Sequence, residues 1–164
     1  MKKTKIYVGI AAVVAVAFLW YVFSMAANNS NACLTKDAKD IDVGGDANVV
    51  MHIHPILTIM INEEQIIIPA GVGLDDGIMR PLHIHDGSGK IHVESACVRD
   101  YTIKEFFDVW GQTLNESCIL SYCEDETHTL TMYVNGVEST AYGDLVLVDH
   151  DEIKIIYEEV GAGA

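Results

Sequence analysis

Two short stretches hold five of the seven histidines of the chain: "MHIHP" at 51–55 and "PLHIHDGSGKIHVES" at 81–95. Imidazole titrates near pH 6.5, so at neutral pH its free ring nitrogen is a ligand for Zn(II) or Cu(II). His52 and His54 are two apart, as are His83 and His85, so on a strand each pair projects from one face. A two-residue turn at Ser88-Gly89 would set His85 opposite His92 and His83 opposite Glu94. All four side chains would then share one face, with cross-strand Cβ atoms about 5 Å apart. A slip of one residue would turn His92 and Glu94 to the other face. The candidate metal ligands are therefore His83, His85, His92 and Glu94, with His52 and His54 joining if their strand lies beside the hairpin. Asp86 is placed to orient a ligating imidazole. Met51, Met60 and Met79 lie near the histidines in sequence, and thioether with imidazole favours copper, whereas His and Glu alone suit zinc equally. Copper is the first choice and zinc the second. The competing reading is of ordinary polar side chains on a sheet, which describes most lone histidines but not this clustering. His128 and His150 stand in polar turn contexts and are read as solvent-exposed.

The elements that must position these residues are mostly strands. From Met51 the pattern has period two, with His52, His54, Ile56, Thr58 and Met60 on one face and Ile53, Leu57, Ile59 and Ile61 on the other. "NEEQ" interrupts it, "IIIPA" resumes it, and residues 71–80 form a Gly/Asp-rich loop before the histidine hairpin. "DYTIKEFFDVWG" changes period. Thr102 and Glu105 form a capping box, Ile103, Phe106, Phe107 and Trp110 make an apolar stripe, and Gly111 ends the helix. The stripe is read as core. "TLTMYVNGVEST" centres a hairpin on Asn135-Gly136, and "DLVLVDHDEIKIIYE" predicts two strands around Asp149–Asp151. One main helix among strands predicts an α+β domain with a mostly antiparallel sheet over residues 49–159, followed by a frayed tail, 160–164.

Ahead of that domain, Ile6 to Ala27 carries no charge, and about 20 apolar residues span a bilayer. Lys2, Lys3 and Lys5 precede it. Residues 1–27 are thus expected to be a single transmembrane signal-anchor, with the N-terminus cytoplasmic and the C-terminal domain outside the cell membrane. Cleavage after "FSMAA" as a signal peptide is the alternative. Residues 28–48, polar and poor in aromatics, read as a tether. The net charge of −14 excludes a nucleic-acid partner, which needs a basic surface, and attracts cations. The four cysteines are expected as disulfides. Cys118 and Cys123 can close a local loop, leaving Cys33 and Cys97, and the connectivity stays open.

The combination "MHIHPILTIMI…IPAGVG…MRPLHIHDGSGKIHVES…YTIKEFFDVWG…MYVNG…LVLVDHDEIKIIY" resembles a family of membrane-anchored extracytoplasmic proteins of archaea and some actinobacteria. Its specific part is the two His-x-His segments with the Ile-His-x-Glu that follows. The middle residue of the second pair is commonly Thr in that family and is Ile84 here, which touches no ligand. The resemblance implies a location and a pattern, and no activity. The C-terminal half is more faintly similar to ubiquitin-like β-grasp folds, and the Gly-Ala-Gly-Ala end lacks the Gly-Gly of sulfur carriers.

These readings converge on a membrane-tethered, extracytoplasmic protein that binds copper or zinc, as a carrier or buffer or as an accessory subunit of a membrane metalloenzyme beside other membrane-protein subunits. A His-ligated enzyme of hydration or hydrolysis is the second class, although no catalytic triad, reactive cysteine or phosphate-cradling loop stands out. A metal-free interaction module is the third.

Overall fold

The computed structural model describes residues 14–24, 33–45 and 49–161. Pro55 has no N–H to give a ladder. The long alternating run accordingly breaks there into β1 (Met51–Ile53) and β2 (Ile56–Ile61). Asn62 and Glu63, both at positive φ, turn β2 into β3 (Glu64–Ile66). Within the segment expected as a loop, β4 (Leu74–Asp75) and β5 (Ile78–Met79) form a small hairpin. β6 (Leu82–His83), β7 (His92–Ser95) and the helix α1 (Ile103–Trp110) follow. Then come β8 (Cys118–Ile119), β9 (Tyr122–Cys123), β10 (His128–Val134), β11 (Val137–Ser139) and β12 (Glu152–Glu159).

The main sheet has the order β11-β10-β12-β2-β3. Its pairs are antiparallel except β12–β2, which is parallel and fills the centre. A separate three-stranded sheet has the order β1-β7-β6. The two sheets share the chain on either side of Pro55. α1 carries the expected capping box between Thr102 and Glu105, and Gly111 ends it at φ 72°. Its Ile103, Phe106 and Phe107 are fully buried with Leu57, Ile59, Leu82, Val93, Met132 and Ile155 in one core.

The expected fold class needs correction. The sheet-rich α+β organisation fits in part, but the sheet is divided and mixed. The single N-terminal transmembrane helix is not found: among the described residues no helix is long and apolar enough to cross a membrane. Residues 14–24 are helical and leave Phe18, Leu19 and Trp20 exposed. The rest of Ile6–Ala27 lies outside the described residues.

Two further expectations change. Of the tether predicted over 28–48, residues 33–45 are described, and much of that stretch is docked on the domain. Cys33, Ala38, Ile41 and Val43 are buried, and the Val43 N–H donates to the Met79 carbonyl at 2.8 Å. A disulfide from Cys33 to Cys97 ties this segment to the domain beside those buried side chains. The second bond joins Cys118 to Cys123 across β8 and β9. The first of the two strands predicted around Asp149–Asp151 is also absent: residues 145–147 bond instead to the backbone entering α1. Only a single bridge, Thr102 with Val146, marks that pairing. The end of the expected tail, 162–164, lies outside the described residues.

Candidate metal centre

β7 is the middle strand of the small sheet, and its inner side chain Val93 is fully buried in the core. By the pleat, His92 and Glu94 therefore share the outer face. β1 lies on one side with His52 opposite Glu94, and β6 lies on the other with His83 opposite His92. The expected hairpin register is thus corrected by two residues: His83, not His85, faces His92, and Glu94 faces His52. The reason is the connection. Residues 84–91 are no tight turn but a loop clamped elsewhere, with the Ile84 N–H donating to Val72 O, Leu57 N–H to Gly89 O and Ile91 N–H to Pro55 O. A shift of two preserves the facing of the paired residues His83, His92 and Glu94, and His85, just past the end of β6, still reaches His92 from the loop.

They meet around His92. Its ring centroid lies 4.6 Å from that of His54, 4.6 Å from His85, 5.3 Å from His83 and 6.0 Å from His52. Two groups could hold a metal ion: His52, His54 and His92, and His83, His85 and His92, with the ligand atoms of each group within 4.8 Å of one another. Glu94 stands at the edge of the first. Its Oε1 is 3.0 Å from His52 Nε2 and 3.5 Å from His92 Nδ1, the latter approach lacking hydrogen-bond geometry.

His83 is the most constrained member. It is fully buried, and its Nδ1 lies 3.0 Å from the Arg80 carbonyl. A carbonyl only accepts, so Nδ1 bears the proton and Nε2 keeps its lone pair. That Nε2 is buried with no hydrogen-bond partner, and so is His92 Nδ1. Leaving such an atom unpaired costs about 1–3 kcal/mol, and two in one patch is an arrangement that a bound cation would relieve. Burial holds His83 below its ordinary pKa. Burial, then the neighbouring histidines, does the same for His54 and His92. All three lean towards the neutral, ligating form.

Arg80 acts through a backbone atom and leaves no mark in sequence. Gly73 is a second contributor invisible to motif reading. At φ +78°, a Cβ there would strike the Leu82 carbonyl and come within 2.9 Å of His83 Cβ. Gly73→Ala is therefore expected to lower stability by at least about 2 kcal/mol, from left-handed strain and displacement of β6. Urea unfolding measures this, and an unchanged midpoint would show that β6 does not need the close approach.

The remaining histidines stand apart. His150 is exposed near Asp149. His128 is not the exposed turn residue expected: it opens β10, is partly buried, and stacks on Tyr157 with ring centroids 5.0 Å apart. Asp86 caps its own loop by accepting from the Ser88 N–H. Among the methionines, Met51 packs towards the core and Met60 sits in β2 between Gln65 and Ile156.

Fold and site together define a disulfide-linked, sheet-rich α+β domain bearing a histidine patch that could hold a metal ion. No protein-family model matches the chain, and neither does a curated protein or a solved structure.

Proposed function

We propose that this protein binds a divalent transition metal ion, Cu(II) first and Zn(II) second, at the histidine patch, and works as an extracytoplasmic carrier or buffer. The observation that carries the reading is His83: a buried imidazole whose proton is committed to the Arg80 carbonyl and whose Nε2 has no protein partner beside His85 and His92. All-imidazole ligation suits both ions, and the general affinity order for nitrogen sites puts Cu(II) above Zn(II). With Met51 turned to the core, thioether ligation gives no support from that residue. A net charge of −14 raises the local cation concentration. The two disulfides support an oxidising compartment. The resemblance to extracytoplasmic proteins with paired His-x-His motifs agrees with that location.

Purified full-length protein, stripped with chelator and then titrated with Cu(II) or Zn(II) against a chromophoric competitor, is expected to take up metal stoichiometrically and keep it through dialysis. Uptake no greater than that of a chain lacking the clustered histidines would overturn the reading.

A further inference from the structure

We propose that the patch is built for two metal ions, bridged by the imidazole of His92. The inference rests on the metal-binding reading and extends it from a site to a pair of sites. Its basis is the order of the small sheet. β7 is central, so His92 has one histidine pair on each side, His52 and His54 from the β1 side and His83 and His85 from the β6 side. The two three-histidine groups are each compact and share only His92. Strands lie about 4.8 Å apart, which separates β1 from β6 by roughly twice that distance. An ion with metal–nitrogen bonds of about 2.0–2.1 Å holds its ligand atoms within about 4.2 Å of each other. One ion therefore serves one side of β7, and the other pair is left for a second.

Imidazole has two ring nitrogens, and the surroundings of His92 divide them. Nδ1 is buried, lacks a hydrogen bond, and lies 3.5 Å from Glu94 Oε1, on the His52 side. That leaves Nε2 for the side of His83 and His85. Binding the first ion uses one lone pair. Binding the second releases the remaining ring proton to solvent and forms the second metal–nitrogen bond, leaving a bridging imidazolate. Glu94, only 6 % exposed, supplies negative charge beside the His52 ion. Each side combines a less and a more accessible ligand: His83 is fully buried beside an exposed His85, and His54 is half-buried beside His52, whose side chain is 50 % exposed.

Full-length protein is titrated with Cu(II), counting bound ions by elemental analysis after gel filtration and following the copper paramagnetic resonance signal. The expected result is two equivalents per chain for the parent protein, and one each for His54→Ala and His85→Ala. His150→Ala, which removes an exposed histidine outside the patch, should still bind two. In the parent the signal should fall as the second equivalent enters, because imidazolate couples the two spins, and in both single-site variants it should stay at full intensity. Saturation of the parent at one equivalent would overturn the two-ion proposal while leaving metal binding intact. Two equivalents with additive, uncoupled signals would overturn the bridge. No uptake at all would overturn the underlying reading as well.

Discussion

His92→Ala is expected to weaken Cu(II) uptake by more than about 100-fold, since losing merely an outer partner of a metal ligand costs 10–100-fold. His92 is singled out by position. It is the only residue common to both ligand groups, and its ring is the one the other four surround. His52 or His85 can be lost with one group intact, whereas loss of His92 leaves two imidazoles on each side. The side chain is about one-fifth exposed, so truncation should leave the fold in place, which circular dichroism checks. His128→Ala, in a histidine stacked on Tyr157 away from the patch, serves as the comparison and should bind as the parent does. Competition titration of the two variants side by side decides the matter. Equal affinities would remove the histidine patch as the metal centre.

The second large effect concerns the Cys33–Cys97 bond. Breaking it with Cys33→Ser and Cys97→Ser together is expected to lower stability by about 4 kcal/mol, the loop-closure entropy for cysteines 64 residues apart. The Cys118–Cys123 bond, with a separation of 5, is worth about half as much on the same basis. Chemical denaturation of the two paired-serine variants reads the difference. The long-range bond also supports the site. It docks the segment whose Ile41 carbonyl accepts from Arg80 Nη1 at 3.1 Å, and whose Val43 N–H bonds Met79 O. Arg80 in turn supplies the carbonyl that orients His83. Loss of this bond should therefore weaken metal uptake along with stability. An unchanged denaturation midpoint would show that residues 33–43 stay docked through their buried side chains alone.

Local chemistry was legible wherever a short-range rule acts on adjacent residues. Thr102 with Glu105 started α1 and Gly111 stopped it, and the Asn135-Gly136 pair turned β10 into β11. The i, i+2 spacing kept each His-x-His pair on one side of the small sheet, with His52 and His83 in β1 and β6 and His54 and His85 just past their ends. That is why an error of two in the hairpin register left the candidate ligands together.

Partnership between distant segments had no such local signal. The missing N–H of Pro55 marks a break in the run, but nothing in "MHIHP" states that the two halves will enter different sheets, or that β1 will lie against β7. Hydrogen-bond ladders are chosen by the packing of the whole core, and several neighbours were compatible with the same alternation. The docking of segment 33–43 goes with a cysteine pairing that connects positions 64 apart, which composition could not reveal. The long apolar N-terminal run read as a membrane span from its length, its lack of charge and the lysines before it, yet among the described residues no helix is long and apolar enough to cross a membrane. By itself, then, the sequence determined the supply of imidazoles, the shared outer face of His92 and Glu94, the caps and the tight turns, all set over a few residues. Only the tertiary structure decided that β7 would stand between β1 and β6, putting His92 at the hub and freezing His83 against the Arg80 carbonyl. Strand order is a property of the core as a whole, where Val93, Leu82 and Phe106 are buried together.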